Sequence, residues 1–304
     1  MTTRAADITT YLATKNPHPR DAHIHFDEGP HTYTIEGMNG ISKDTKFTSV
    51  TTWVHEHFEN FDAKKVIAAM MRNQKKWNDP VANAKYYGKT AAEIEALWAK
   101  SGSEAATAGT QMHYQIECFY NTPPAPPPAP PTTTTTADTP EFKYFLDFHQ
   151  EFSATLKPYR TEWTVFHEEA RIAGSIDMVY EEVLPADSTP TPTPTEHSPH
   201  RGKTEPPSLV IYDWKRCREI SKTNAANKFA THPAIEHLPD SNYWHYGLQL
   251  NIYKYILETK YEKTIKDLYL VVLHPESKAY KRIKLPDLQT EVRGLFEERI
   301  QMFQ

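Results

Sequence analysis

The chain has only two cysteines, Cys118 and Cys217, among its 304 residues. Two thiols cannot build a disulfide framework, a four-cysteine zinc site or a four-cysteine iron–sulfur cluster, which excludes those classes of stabiliser and cofactor. Long apolar runs are missing too: none approaches the roughly 18 residues of a membrane span. The opening MTTRAADITTYLATKNP lacks the apolar core of a secretory signal. A soluble, intracellular protein without a membrane partner is expected, and nothing separates a nuclear, cytoplasmic, organellar or viral setting. Nor is there an excess of positive charge. Lys and Arg number 34 against 39 Asp and Glu, a net charge of −5, so no global field draws the chain to nucleic acid or an anionic membrane. Any site for a polyanion must be local.

Proline, by contrast, is abundant and clustered. Of 24 prolines, eight fall in 121–140 and seven in 184–207. The segments 121–139 and 184–207, rich in Pro and Thr, have few apolar side chains to bury and many positions without a backbone N–H. They read as disordered, low-complexity insertions acting as spacers, with a proline-motif partner as the alternative. With them set aside, 23–50 alternates apolar and polar residues around Gly-Pro and Asn-Gly, as a β-hairpin does. Residues 51–120 read as mostly helical, with Val66, Ile67, Met70 and Met71 and then Ala91, Ile94, Leu97 and Trp98 at helical spacing. Helices are expected at 140–156, 240–260 and 286–303, and strands at 159–183, 208–216, 267–273 and 278–285. Such an order implies an α/β fold: a central mixed sheet flanked by helices, with an N-terminal hairpin and helical region over 1–108 packed on a core over 109–304.

Chemistry concentrates at the end of LVIYDWKR, residues 209–216. In a strand, residues two apart share a face, so Asp213 and Lys215 project together. Taken alone, this is also the pattern of a surface ion pair. Upstream, RIAGSIDMVYE carries Asp177 among Ile172, Ile176, Met178 and Val179, where an acid is costly unless it is paired or bound to metal. Asp177 precedes Asp213 by 36 residues, and removing the 24-residue insertion leaves 12, the length of two adjacent strands and a tight turn. Two carboxylates on neighbouring strands, with water and phosphate oxygens, suit a hard divalent cation.

Gly174-x-x-Asp177 followed by Asp213-x-Lys215 resembles the PD-(D/E)XK nuclease superfamily. Two further stretches are similar to its RecB-type, lambda-exonuclease-like branch: Gly109 to Glu117, matching Gly-x-x-x-His-x-x-x-Glu, and Gln249 to Tyr253, matching Gln-x-x-x-Tyr. The four motifs stand in family order across 109–253, roughly half of the chain. The resemblance implies a restriction-endonuclease-like core. It implies that His113, Asp177 and Asp213 ligate Mg²⁺ or Mn²⁺, with the Trp214 backbone carbonyl as an extra ligand. Lys215 would be the catalytic lysine, working with Asp213 and Asp177. Glu117, one turn after His113, would hold a second metal or a water, and Gln249 and Tyr253 would position substrate or support the lysine. Without four cysteines, the chain resembles members of the branch that lack an iron–sulfur cluster.

Local cations supply a place for a polyanion. Residues 62–76 hold Lys64, Lys65, Arg72, Lys75 and Lys76 against Asp62, followed by Trp77; residues 213–228 hold Lys215, Arg216, Arg218, Lys222 and Lys228 against Asp213 and Glu219. Such cations would contact backbone phosphates, and Trp77 or Trp214 would stack on a base. His55 and His57 face different ways on a presumed helix, and His197 and His200 fall in an insertion, so none is assigned a metal. The expectation is a metal-dependent DNA nuclease of repair, recombination or replication, an exonuclease leaving 5′-phosphate and 3′-hydroxyl ends on single-stranded DNA or duplex ends. Helicase and Walker A motifs are absent, so strand separation would come from a partner. Alternatives are a nuclease fold kept as a nucleic-acid-binding or scaffold protein, and a nuclease acting on RNA.

Overall fold

The computed structural model describes residues 10–122, 139–183 and 207–304. Most of the two expected insertions, with His197 and His200, lies outside these described residues. In chain order the elements are α1 (Tyr11–Lys15), β1 (Ile24–Asp27), β2 (Thr32–Ile35), β3 (Thr48–Ser49), α2 (Val50–Glu56), α3 (Ala63–Arg72), α4 (Gln74–Trp77), α5 (Ala91–Asn121), α6 (Pro140–Phe152), β4 (Leu156–His167), β5 (Ile172–Glu182), β6 (Leu209–Lys215), α7 (Asn242–Lys260), β7 (Ile265–Val272), β8 (Lys281–Lys284) and α8 (Gln289–Gln301). The fold is mixed α/β, a central mixed sheet flanked by helices.

Strand β6 shows why the sheet is covered on both faces. Leu209 and Ile211 pack into one apolar cluster with Leu250, Ile256 and Val292 of α7 and α8, while Val210, Tyr212 and Trp214 pack into another with Ile116, Phe145 and Phe148 of α5 and α6. A strand buried on both faces reads as a continuous apolar run, as LVIY does. Strands β6 and β7 are parallel, while β4 with β5, β5 with β6 and β7 with β8 are antiparallel. The backbone N–H of Glu182 donates to the carbonyl of Ser208 at 3.0 Å, so the chain leaves β5 and returns to β6 at one point. This matches the 12-residue arithmetic for two adjacent strands.

The hairpin expected over 23–50 is confined to β1 and β2. The last three residues of that span belong to the main body instead: Thr48 and Ser49 form β3, parallel to β5 at Ile172 and Ala173, and Val50 opens α2, whose Val50, Trp53 and Val54 are buried in the core. The boundary drawn at 108/109 also falls inside α5, which runs unbroken for 31 residues from a capping box at Thr90 and Glu93. Its residues Ala99 to Thr107 are exposed all round, linking a small helical lobe around α3 and α4 to the buried C-terminal half.

One edge of β5 positions everything that follows. On its far side β5 pairs with β4 along its length, but on the near side Ile172 and Ala173 pair with β3 and Met178 to Glu181 pair with β6. Among the described residues, none pairs with 174–177 on that edge, which leaves a notch in the sheet. Gly174 lines it, and a Cβ there would lie 2.7 Å from Tyr253 Oη and 3.0 Å from Val50 Cγ2. Only glycine lets α7 and α2 close on β5. Gly174→Ala is expected to cost about 1–3 kcal/mol by overpacking, measured by urea unfolding, and adding Tyr253→Phe should recover part of that loss by removing the closest atom.

Candidate active site at the sheet notch

The β5–β6 register pairs Met178 with Tyr212, so the next step brings Asp177 opposite Asp213 just where the ladder opens. There the Trp214 N–H, lacking a strand carbonyl, donates to Asp177 Oδ2 at 2.9 Å. Asp213 is buried to 2 % exposure, and its Oδ2 lies 2.7 Å from Lys215 Nζ. That short contact pairs the carboxylate with the ammonium and engages Oδ2. Lys215 in turn lies over the Tyr246 ring, 4.6 Å from the centroid.

His113 enters from the buried half of α5. Its Nε2 is 2.9 Å from the Trp214 carbonyl, and since a carbonyl only accepts, Nε2 carries the hydrogen. The Trp214 carbonyl, expected as a metal ligand, thus orients the imidazole, as outer-shell partners of ligating histidines do. Nδ1 faces the opposite way, 3.5 Å from Asp177 Oδ2 and 3.7 Å from Glu162 Oε1.

Glu162 is the residue that sequence reasoning missed. It stands on β4 between the pairs Thr161↔Met178 and Trp163↔Ile176, hence opposite Asp177, and its backbone sits in the left-handed region at φ 42°. A non-glycine residue there in mid-strand stores strain of order 1–3 kcal/mol, which marks sites where a side chain must be aimed. Ser175 Oγ donates to its Oε2 at 2.9 Å, fixing the carboxylate toward His113. The available signal was a lone acid inside the aromatic strand RTEWTVF, in register with Asp177.

His113, Glu162 and Asp177 present ligand atoms that all lie within 4.8 Å of one another, the one such group among the described residues. Asp213 falls outside it, with Oδ2 turned onto Lys215, and so does Glu117, which the helical spacing had placed beside His113. A group of one imidazole and two carboxylates, with a third, buried carboxylate alongside, fits a divalent cation; the imidazole favours Mn²⁺ over Mg²⁺. Gln249 and Tyr253 sit behind the notch. Tyr253 is buried at 3 %, hydrogen-bonded to Gln249 and pressed on Gly174, so its ring shapes β5, while Gln249 is half-buried.

The expected phosphate contacts fare differently. Arg216 Nε donates to Glu141 Oε1 at 2.6 Å, so its charge is neutralised within the protein. Trp214 cannot stack on a base because its ring is buried edge-on against Phe145 and Phe148; alternation along β6 turns it away from Asp213 and Lys215. Lys64, Lys65, Lys75 and Lys76 are all exposed on the lobe of α3 and α4.

Burial raises the Asp213 carboxyl to about 7, with Asp177 adding to the rise and Lys215 opposing it. Asp177 is raised by burial as well, against the attraction of His113. Burial disfavours charge on His113, but Asp177 and Glu162 outweigh it and lift the imidazole to about 9. The same contest at Lys215, burial against Asp213 and Asp177, ends with its pKa above the ordinary lysine value. Protons on Asp213 and His113 must leave for a cation to bind. Mn²⁺ affinity should therefore tighten roughly tenfold or more between pH 6 and pH 8.5, with proton release seen by calorimetry in buffers of different ionisation heat. A flat pH profile would contradict the assigned ligands.

No protein-family model matches the chain, and no curated protein matches it. A solved structure titled "Crystal structure of SSO0001" is similar at 13% identity over 88% of this chain and 79% of that chain, with a TM-score of 0.27, a likeness too slight to bear on fold or function. Among the described residues no helix is long and apolar enough to cross a membrane.

Proposed function

We propose that the chain is a metal-dependent nuclease hydrolysing phosphodiester bonds of DNA, an exonuclease with a restriction-endonuclease-like core that leaves 5′-phosphate and 3′-hydroxyl ends. The observation that carries this reading is convergence. His113 from α5, Glu162 from β4, Asp177 from β5 and the Asp213–Lys215 pair from β6 meet at the notch, although His113 stands 101 positions before Trp214, the residue between Asp213 and Lys215. A buried ion pair beside a His–Glu–Asp group is costly to assemble for stability alone.

His113 Nδ1, Glu162 and Asp177 would hold Mg²⁺ or Mn²⁺, with Asp213 completing the set. When bound, such a cation polarises a phosphoryl oxygen and lowers the pKa of a coordinated water. The protein's own groups do the rest. Trp214 N–H and Ser175 Oγ hold Asp177 and Glu162 in place, so little reorganisation is needed as charge develops. The ammonium of Lys215, kept charged by Asp213, orients the attacking water and offsets negative charge on the transferring phosphoryl group. Tyr246 walls the far side of that ammonium.

Purified protein should degrade end-labelled DNA with Mg²⁺ or Mn²⁺ and not with EDTA, with single-stranded DNA, duplex DNA and RNA run in parallel to fix the substrate. Lys215→Ala, Asp213→Asn and Glu162→Gln are each expected to lower the rate by about 10²-fold or more while circular dichroism stays native. Undiminished turnover by Lys215→Ala would reject the reading.

A further inference from the structure

Beyond Lys215 the sheet continues toward a second basic feature. The register sets Lys215 beside Val272 of β7, and Val272 beside Lys281 of the edge strand β8. Paired residues share a face and neighbouring strands lie ~4.8 Å apart, so Lys281 stands about 10 Å from Lys215 on the same side of the sheet. Between β7 and β8, the loop begins where Leu273 N–H donates to the Lys215 carbonyl at 2.9 Å. It is held by Ser277 N–H to the His274 carbonyl, by Glu276 N–H to His274 Nδ1, and by Tyr144 Oη to the Ser277 carbonyl. This braced loop bounds a concavity of about 480 Å³ lined by Arg218, His274, Glu276, Lys278, Tyr280 and Lys281.

Its charge is unbalanced. Glu276 faces Arg218 at 3.4 Å, whereas no ion pair among the described residues engages Lys278 or Lys281, and both are exposed. The neighbouring hollow of about 620 Å³ differs, because Lys284 is paired to Asp267 and the Arg282 guanidinium lies over the Tyr269 ring with Nε donating to Tyr212 Oη. The lysines of α3 and α4 border neither hollow.

We propose that the concavity of Arg218, Lys278 and Lys281 is a phosphate-binding subsite, holding the backbone of the nucleic-acid strand about one or two nucleotides from the bond that is cut. It rests on the nuclease reading and adds to it the direction in which the strand leaves the notch, across β7 toward β8. A strand that lies over Lys215 must cross the sheet end, and there Lys281 stands next along that row with Lys278 beside it, both unengaged by carboxylates among the described residues, while Arg218 shares its charge with Glu276.

The test uses the full chain in EDTA, so that nothing is cleaved, with fluorescent oligothymidylates of two and eight nucleotides. The triple variant Arg218→Gln, Lys278→Gln, Lys281→Gln is compared with wild type and with a charge control, Lys43→Gln, Lys100→Gln, Lys157→Gln. The octanucleotide should bind the triple variant about tenfold or more weakly, with the log–log salt slope reduced by about 2, near the 0.7 per lost contact of single strands. The dinucleotide should bind both alike, the charge control should match wild type, and melting temperatures should be unchanged. Equal octanucleotide affinity and slope in the triple variant and wild type would overturn the subsite and leave the nuclease reading standing. Wild type that neither binds the octanucleotide nor cuts it with Mn²⁺ would overturn both.

Discussion

The site depends on β5 having no strand partner, among the described residues, along one edge at 174–177. In a closed sheet the Trp214 N–H would bond a neighbouring main chain, and the Asp177 carboxylate on the covered face of the sheet would lose that donor. Where β3 and β6 part, that N–H turns to a side chain and the Asp177 carboxylate gains a donor without leaving the sheet. Two acids can then stand next to each other at low exposure, balanced by Lys215 and His113. Gly174 and Tyr253 keep the opening in shape, since the ring fills the space that a side chain on β5 would otherwise take.

Much of this was legible in the sequence because the decisive relations are short-range. Asp213 and Lys215 share a face by strand periodicity, and the β5–β6 pairing follows from subtracting an insertion that could not pack. Every helix and strand of the body from α6 to α8 begins or ends near where its apolar pattern does. The same alternation that joins Asp213 to Lys215 turns Trp214 into the aromatic cluster, so its burial could have been read from the strand as well.

What stayed hidden was long-range or conformational. Two residues, Thr48 and Ser49, carry no pattern that separates a strand from the tail of a hairpin, and only pairing with Ile172 and Ala173 defines them. Glu162 depends on a left-handed backbone in mid-strand, which no spacing announces in a non-glycine residue. Arg216 looks like any basic residue after a strand until Glu141 is brought beside it by α6. Glu117 shows the converse: a helical turn puts two side chains on one face, yet of the two only His113 belongs to the close His–Glu–Asp group.

The continuity of α5 has a mechanical consequence. At ~1.5 Å per residue it is a rod of roughly 45 Å, gripped at one end by the lobe of α3 and α4 and at the other by the core, with an exposed shaft between. Bending a helix sharply requires breaking its hydrogen-bond ladder, so the rod transmits displacement and does not absorb it. A load on the lobe would act as torque on the turn that carries His113, which the Trp214 carbonyl holds against the sheet, so the imidazole is the member of the site tied to both the lobe and the sheet.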